Sequence, residues 1–459
     1  MSTEDSLETA VARFVAGFGP DDIDAPARAG AISLIKDQLA IQLGAARLPW
    51  SRQLRAARAL RPGPCSLVGE AGGVAAADAA YLNASYGHGF EYDDYAGNAH
   101  PGCCVVPVAL AVGEETGAKL GEVLTAMVAG YETYVRIGRL ASPALLNAGW
   151  QPHAVLANFG AAAVAAKLHG LDAGRTGQAL AIALSHAGGT TEYASTGGSV
   201  KRAHAGIAAR NGIEAVDLAR AGITGPRRYL TGSRGLYRNF AGRSVPQDSE
   251  RDFRRDAPLC IGQPSFKAYC CCAATHAYIE AMAAISGPVS DIEAVQARVQ
   301  TMTDVIVGNQ NAHIYAPRNI EELQYSLPVQ MALAALGYGN GYRTHLDYLE
   351  GRLQLEGPVL TLARRIALTV DPALDQAHPR GFVADVRVRY RDGRQERLFI
   401  DKVLGRPDKP FSRRQHQDKL DDLSHDVLGA ARAAEMFALI DALPSDLPVS
   451  SLTEFLRGR

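Results

Sequence analysis

An acidic segment followed by a histidine is the first part of the sequence that could do chemistry. Glu91, Asp93, Asp94 and Tyr95 stand close together, and His100 follows them. Carboxylates and an imidazole at this spacing could supply an acid, a base or an ion site. The spacing matches neither a His-x-x-x-His pair nor a calcium loop, so we do not expect a metal here. The alternative is a solvated acidic loop in which an aspartate caps a helix.

His153 directly follows a proline, at a place where a helix can begin. Pro152 suits the first turn of a helix. The positive end of the helix dipole would lower the pKa of His153 and favour a neutral imidazole that can accept a proton. The alternative is a structural histidine bonded to a backbone carbonyl.

A glycine-rich stretch, residues 188–198, precedes a predicted helix start. Thr191 lies within it, and Ser199 and Lys201 follow it. Small hydroxyls and accessible backbone amides are suited to holding a carboxylate or a phosphate. The Gly-Lys-Ser/Thr order of a P-loop is absent, and no strand precedes the stretch as a dinucleotide site requires. The alternative is an exposed loop with no ligand.

Lys267 lies among apolar residues, just ahead of three consecutive cysteines, Cys270–Cys272. Removal from water lowers the pKa of a lysine amine, as a general base requires. An ordinary lysine that reaches the surface is the alternative. Because adjacent thiolates point in divergent directions, we do not expect these cysteines to hold an iron–sulfur cluster.

The composition excludes several classes of protein. The chain has 459 residues, enough for two domains, and its 47 Lys and Arg against 48 Asp and Glu leave no basic excess for nucleic acid. The seven cysteines are an odd number and mostly adjacent, which indicates reduced thiols. No signal peptide and no membrane-spanning stretch is evident. We therefore expect a cytoplasmic protein with neither a nucleic acid nor a membrane as its partner.

Helical periodicity dominates the first half of the chain. Apolar residues recur at helical spacing over Ile32–Leu43 and Leu124–Ile137. The stretch Phe159–Leu168 is nearly all alanine with valine, which predicts a helix buried against close neighbours. The 46 glycines and the abundant alanines suggest closely packed helices.

Alternating apolar residues, typical of strands, are found only after about residue 285. They occur over Val295–Thr301 and Ile366–Val370, and in two runs joined by Asp392-Gly393, which predicts a hairpin. Helical spacing then resumes from Val427 to Leu443. The sequence predicts a mainly α protein: a large all-helical domain at 1–259, to which 406–459 returns, and a smaller α+β lid domain at 260–405.

Taken in this order, these segments resemble the MmgE/PrpD family, whose members include 2-methylcitrate dehydratases, cis-aconitate decarboxylases and iminodisuccinate epimerases. The similarity spans roughly residues 8 to 440. It is carried by the acidic segment with His100-Pro101-Gly102, by Ala129-Gly130-Tyr131-Glu132, by Lys201 through Gly212, and by Ser265-Phe266-Lys267 with His276.

The resemblance implies a helical domain, a smaller α+β lid and an active site in the cleft between them. It also implies a homodimer and chemistry without a metal, an iron–sulfur cluster or an organic cofactor. The two pocket histidines of the family fall on His100 and His153, and its two lysines fall on Lys201 and Lys267. Its acidic position aligns best with Glu91.

Two departures from the family pattern concern the decarboxylase-like members. These carry a Tyr three residues after the Ser of the segment Gln324–Pro328, where this chain has Val329. They also carry a Thr just after the paired aspartates, where this chain has Tyr95. A lost phenol removes a proton donor, so the sequence makes cis-aconitate decarboxylation the least favoured assignment.

Three functions remain open at this point. The first is a cofactor-independent lyase of the dehydratase type, in which His153 or Lys267 removes a proton next to a carboxylate of a small di- or tricarboxylic acid. In that hypothesis His100 assists the leaving hydroxyl, and Lys201 with the 188–200 loop binds carboxylates. The second is an epimerase of an iminodisuccinate-like dicarboxylate. The third is an inactive homologue that binds a dicarboxylate.

Overall fold

A computed structural model describes residues 6–96, 99–378 and 381–458, without the side chain of Ser195. The chain forms two compact units. The first consists of Met1–Thr191, Val200–Pro264 and Leu423–Arg459, and the second of Glu192–Ser199 and Ser265–Asp422. The domain limits expected from the sequence, 259/260 and 405/406, stay a prediction, and each unit is described by itself.

The first half of the chain is built mainly from helices, with one short strand whose residues Pro62 and Cys65 pair with Val74. In chain order the elements are α1 (Leu7–Gly17), α2 (Ala25–Ala45), α3 (Pro49–Ala56), β1 (Pro62–Cys65), α4 (Ala76–His88), α5 (Gly102–Thr116), α6 (Leu120–Ala141), α7 (Ala144–Asn147), α8 (Pro152–Leu168), α9 (Ala173–Ser185), α10 (Glu192–Thr196), α11 (Lys201–Arg220) and α12 (Leu236–Ala241).

Close packing of α4, α5, α6, α8 and α11 forms the core of the first unit. A Cβ atom at Gly206 of α11 would lie 2.2 Å from the carbonyl oxygen of Tyr81 on α4. One at Gly212 would lie 2.3 Å from the Cβ of Ala161 on α8. The glycines therefore let these backbones approach closely, as the composition suggested.

The second half of the chain alternates short helices with strands. Its elements are α13 (His276–Ala283), β2 (Ile292–Val299), α14 (Thr301–Val307), α15 (Ile320–Gln324), α16 (Leu327–Ala335), α17 (Tyr342–Leu349), α18 (Pro358–Ala363), β3 (Ile366–Val370), α19 (Pro372–Ala377), β4 (Ala384–Tyr390), β5 (Gln395–Ile400), α20 (Arg413–Leu428), α21 (Ala430–Ala442) and α22 (Ser450–Thr453).

The second unit contains a mixed sheet in the order β3-β2-β4-β5. Strand β2 runs parallel to β3, with Val295 opposite Ile366, and antiparallel to β4. The predicted hairpin is confirmed as β4 and β5, whose turn has Gly393 at φ 89°. The predicted strand that ends at Thr301 is one correction, because Thr301 begins helix α14.

Two helices, rather than one, follow the sheet. The helical spacing predicted from Val427 onward begins earlier, at Arg413, and Gly429 at φ 76° separates α20 from α21. In the first unit, an ion pair of 2.6 Å between Lys36 and Asp441 joins α2 to α21. The fold class is confirmed as mainly α with a small α+β part.

None of the helices in the described residues combines the length and the apolar character needed to cross a membrane.

Candidate active site

Three imidazole rings from three different parts of the chain cluster inside the first unit. His88 is the last residue of α4, His100 lies just before α5, and His153 lies in the first turn of α8. The ring centre of His88 is 5.0 Å from that of His100 and 4.7 Å from that of His153. Two of these histidines were candidates from the sequence, whereas His88 was not.

Asp93 lies between two of the three rings. Its Oδ2 is 2.7 Å from Nδ1 of His88 and 3.3 Å from Nδ1 of His100. Burial alone would raise the pKa of Asp93, but the neighbouring imidazoles of His100 and His88, which hydrogen-bond to the carboxylate, outweigh it and hold that pKa well below its usual range. Asp93 is therefore an ionised carboxylate in the interior. Burial lowers the pKa of His88 well below its usual value, so His88 is neutral and donates its Nδ1–H to Asp93.

His100 is held in one tautomer by a backbone carbonyl. Its Nδ1 lies 2.9 Å from the carbonyl oxygen of Asp94. A carbonyl oxygen can only accept, so Nδ1 must carry the hydrogen, and in the neutral ring the lone pair is on Nε2. The side chain is 16% exposed, in contrast to those of His88 and His153, which are buried. His100 is thus the partly exposed imidazole of this cluster, whereas the other two rings are enclosed.

His153 takes part in a closed ring of hydrogen bonds. The Tyr134 hydroxyl accepts the backbone N–H of His100 at 3.2 Å and lies 2.8 Å from Nδ1 of His153. Nε2 of His153 lies 3.7 Å from Sγ of Cys103, whose thiol donates to the carbonyl of His100 at 3.2 Å. Burial raises the pKa of Tyr134 well above its usual value, so its hydroxyl keeps a hydrogen to donate to His153.

Burial, and then the nearby His100, lowers the pKa of His153 to about 3. The sequence anticipated a lowered pKa from the helix dipole, and the structure attributes it first to loss of water. Both ring nitrogens have neighbours and the ring is fully buried. This arrangement suits a group that positions His100 better than it suits a base that meets substrate.

Asp94, the other member of the acidic pair, differs from Asp93 in its charge. Burial, followed by the negative charge of Asp93, raises the pKa of Asp94 to about 8. Its Oδ2 accepts the backbone N–H of Gly102 at 3.1 Å. A Cβ at Gly102 would lie 2.2 Å from Oδ1 of Asp94, so glycine is required at the start of α5. Near neutral pH, Asp94 is therefore mainly a protonated acid that secures the turn before α5.

Glu91 and Lys201 form an ion pair away from bulk water. Both residues are buried, and Lys201 begins helix α11. Glu91 has φ 58°, a conformation that a residue with a Cβ adopts only at a cost. Burial, and then the charge of Lys201, lowers the pKa of the nearby His204 to about 4. Glu91 and Lys201 thus bring together an anion and a cation that are far apart in the sequence.

The sequence also suggested that Tyr95, Thr191 and Ser199, together with Glu91, Asp93 and Asp94, bind the substrate; these three residues are more exposed than the acidic ones. The hydroxyl of Thr191 donates to the carbonyl of Gly149 at 3.2 Å, and its backbone N–H donates to the same oxygen at 2.9 Å. Tyr95 is half-buried, and Ser199 is exposed and belongs to the second unit. Their roles in substrate binding stay predictions.

Lys267 is buried in the second unit. The amine of Lys419 donates to the backbone carbonyl of Lys267 at 3.1 Å. Burial, and then the charge of Lys267, lowers the pKa of His276 to about 3. The three cysteines that follow Lys267 carry free thiols, as do the other four of the chain. Val329 is fully buried in helix α16 of the same unit.

The structure therefore brings His100, His153 and the acidic pair together in the first unit, where Glu91 and Lys201 also lie. Sequence reasoning missed His88, Cys103 and Tyr134, which complete the hydrogen bonding of this cluster. A signal existed for two of them, because His88 stands shortly before Asp93 and Cys103 shortly after His100. Tyr134 gave no such signal, because in the sequence it looks like the other buried residues on the apolar face of α6.

Comparison with known proteins adds a family assignment to this geometry. The MmgE/PrpD N-terminal domain matches residues 9–248, and the MmgE/PrpD C-terminal domain matches residues 269–443. The chain is 26% identical to a cis-aconitate decarboxylase of Aspergillus terreus, over 99% of this chain and 96% of that protein.

Shorter matches involve two further proteins. A cis-aconitate decarboxylase-like protein of Aspergillus oryzae, oryM, is 34% identical over 50% of each chain. The cis-aconitate decarboxylase of Homo sapiens is 33% identical over 37% of this chain and 36% of its own. The resemblance stated from the sequence is confirmed at the level of the family.

Proposed function

The chain belongs to the MmgE/PrpD family, and on that premise we propose that it is a lyase that removes a proton next to a carboxylate of a small di- or tricarboxylic acid. The observation that carries the proposal is the fixed tautomer of His100. Its Nδ1–H is committed to the carbonyl of Asp94, so the partly exposed ring offers the lone pair of Nε2 to a substrate proton.

Asp93 supports the same role for His100. When His100 takes up a proton it becomes a cation, and the ionised carboxylate 3.3 Å from its Nδ1 stabilises that cation. His88 donates to the same carboxylate oxygen at 2.7 Å and keeps it in place. The group that accepts the proton and the group that stabilises the charge are therefore held together before a substrate binds.

This assignment changes the role expected for His153. The sequence suggested His153 as one of two bases, but its ring is fully buried and hydrogen bonds surround it. We assign it to positioning, through Tyr134 and Cys103, of the backbone of His100. Lys267, the other base that the sequence suggested, stays a prediction. His100, which the sequence suggested as the group that assists the leaving hydroxyl, is here proposed as the base.

Lys201 is the proposed partner of a substrate carboxylate. Its amine is paired with Glu91, so its charge is already balanced in the interior. In a dehydration, His100 takes the α-proton, a carbon–carbon double bond forms, and the β-hydroxyl leaves as water after protonation by a second group. No carbon is lost in this step.

Decarboxylation of cis-aconitate is a second candidate, because the full-length relative from Aspergillus terreus carries that name. The buried Val329, at the place where the decarboxylase-like members have a tyrosine, counts against it. The homodimer and the cytoplasmic location expected from the sequence stay predictions.

Proton NMR in heavy water tests the proposal on a panel of citrate, 2-methylcitrate, cis-aconitate and iminodisuccinate. A lyase of the dehydratase type produces an alkene from a hydroxy acid. Loss of carbon dioxide from cis-aconitate would support the second candidate. Exchange of the α-proton without an alkene would point to the epimerase, and binding with no exchange would point to the inactive homologue and reject the proposed chemistry.

The His100→Gln variant should lose about 10² to 10⁴-fold in kcat while remaining folded. His186→Gln is a matched control, because Nδ1 of His186 also faces a backbone carbonyl, that of Asn211, at 3.2 Å. The control should keep its kcat. Equal activity of the two variants would remove His100 from the mechanism.

A further inference from the structure

We propose that an arginine-lined pocket in the first unit binds a small organic phosphate of about the size of a nucleotide. The pocket has a volume of about 790 Å³, which is typical of small-molecule sites. It lies between the end of α2, helix α3, the turn after β1, helix α4 and the segment 455–458, apart from the cluster of three histidines. Its five arginines are Arg47, Arg52, Arg55, Arg432 and Arg457.

Most of the positive charge in this pocket has no carboxylate beside it. Among the described residues that line the pocket, Glu70 is the one carboxylate, and it pairs with Arg55 at 2.7 Å. Arg457 lies 3.6 Å from a carboxylate oxygen of Glu114. Three arginines form no ion pair in the part of the chain that the structure describes: Arg47, Arg52 and Arg432.

The unpaired guanidinium groups suit a phosphate better than a carboxylate. Arginine binds both anions with two parallel hydrogen bonds, but a phosphate group carries up to two negative charges and three acceptor oxygens. Arg52 donates to the carbonyl of Arg47 at 2.9 Å, and Arg432 donates to the carbonyl of Glu454 at 3.0 Å. Each of these side chains is therefore held in place and keeps further N–H groups for a ligand.

Tyr86 provides an independent indication of a ligand. This residue lines the pocket and is only 3% exposed, yet its hydroxyl has no hydrogen-bond partner within the described residues. Burial raises the pKa of Tyr86 well above its usual value, so the hydroxyl keeps its hydrogen. A buried hydroxyl without a partner is costly. A phosphate oxygen in the pocket would accept the hydrogen and remove that cost.

Apolar side chains cover much of the remaining wall, which indicates that the ligand has an apolar portion as well. They include Leu43, Val68, Val427 and Phe455. The guanidinium of Arg432 lies 5.0 Å from the ring centre of Phe455, so a cation and an aromatic ring meet in the pocket. A nucleotide combines a flat ring, which packs on apolar and aromatic side chains, with charged phosphates.

Backbone hydrogen bonds fix one wall of the pocket. The N–H of Gly69 donates to the carbonyl of Leu456 at 2.9 Å, and the N–H of Gly458 donates to that of Glu70 at 3.1 Å. They hold the segment 455–458 against the turn after β1. A Cβ at Gly458 would lie 2.5 Å from the carbonyl oxygen of Gly69, so this close approach requires glycine. A wall that is already in place lowers the cost of ordering a site when a ligand binds.

The test is isothermal titration calorimetry of the full chain with ADP, at low ionic strength and without added metal. We expect one equivalent to bind, with an affinity that falls as salt is added, because salt screens the attraction between the phosphates and the arginines. Arg52→Gln and Arg432→Gln should each weaken binding by about tenfold or more, since each removes a charged donor. Tyr86→Phe should weaken it by about fivefold.

Two control variants should keep the affinity of the unaltered protein for ADP. Arg175 is exposed on α9 of the same unit, forms no ion pair within the described residues and lies outside the pocket, so Arg175→Gln is the matched control. His100→Gln is the second, because His100 does not line this pocket. A loss of affinity in His100→Gln would place ADP in the candidate active site and overturn the proposal.

Absence of ADP binding to the unaltered protein would also overturn the proposal, whether or not any variant folds. Unchanged affinity in both Arg52→Gln and Arg432→Gln, or an equal loss in Arg175→Gln, would overturn it too. Inorganic pyrophosphate and citrate separate the classes of anion. Displacement of ADP by pyrophosphate, but not by citrate at the same concentration, supports a phosphate site. Equal displacement by citrate would overturn the assignment to phosphate.

Discussion

The hydroxyl of Tyr134 lies 2.8 Å from Nδ1 of His153, in the interior of the first unit. The same hydroxyl accepts the backbone N–H of His100 at 3.2 Å. The Tyr134 hydroxyl thus hydrogen-bonds to polar groups of His100 and His153, two residues that are far apart in the sequence. Its loss would leave buried donors and acceptors unpaired, and such groups are costly.

Tyr134→Phe should lower the free energy of unfolding by about 1–3 kcal/mol and reduce kcat, because it releases His100 and His153 together. Urea unfolding and steady-state kinetics measure the two effects. Tyr229→Phe is the control, since the buried Tyr229 hydroxyl has no hydrogen-bond partner in the described residues. That control should be neutral or slightly stabilising, and similar losses in both variants would contradict this account of Tyr134.

Glu91 offers a test of charge and backbone conformation at one position. Removing its carboxylate takes away the anion that pairs with the buried Lys201, so Glu91→Ala should cost about 3–5 kcal/mol. Because φ is 58° at this residue, Glu91→Gly should be more stable than Glu91→Ala by about 1 kcal/mol. Chemical denaturation of both variants gives the difference.

Glu214 provides the matching pair of substitutions in an ordinary helix. It is exposed on α11, where glycine is less stable than alanine by about 1 kcal/mol. The order of the two variants should therefore be reversed relative to position 91. The same order at both positions would argue against strain at Glu91.

Asp94 should make the stability depend on pH. Its pKa is raised from 3.8 to about 8 in the folded protein, so between these values the folded state holds a proton that the unfolded chain has released. The free energy of unfolding therefore falls as the pH rises through this window. Asp94→Asn cannot titrate, and its urea midpoint should fall less between pH 4 and pH 8.

Asp217→Asn is the control for this titration, because Asp217 is exposed on α11. It should reproduce the pH dependence of the unaltered protein. If Asp94→Asn follows the same curve as this control, Asp94 is ionised in the folded state and the assignment of its proton is wrong.

Gly102→Ala should destabilise the start of α5. The new Cβ would lie 2.2 Å from Oδ1 of Asp94 and 2.6 Å from Cδ1 of Leu34, so at least one must move. A cost of about 1–3 kcal/mol is expected from such crowding, measured by thermal or urea unfolding. Gly17→Ala, at the end of α1, meets nothing within 4 Å and should not destabilise the protein. Equal effects would show that the turn before α5 adapts.

The local elements followed from the sequence because their causes are local. Pro26 at the start of α2, the apolar spacing of α6 and the Asp392-Gly393 turn each act over a few residues of chain. The family followed from motifs in a fixed order. Errors fell at element ends, as at Thr301 and Gly429, where a single residue decides between two backbone conformations.

The arrangement of the site was decided by tertiary structure alone. His88, Tyr134 and His153 belong to three helices, and nothing in their separate sequences says that the helices pack with these faces together. The different charge states of Asp93 and Asp94 are also set by the tertiary structure, because a pKa depends on burial and on neighbours that are distant in sequence. The sequence by itself determined the helices, the hairpin and the candidate residues, since backbone preference and periodicity act along the chain. The packing of the helices determined that Asp93 is ionised and that His153 is enclosed and faces the Tyr134 hydroxyl.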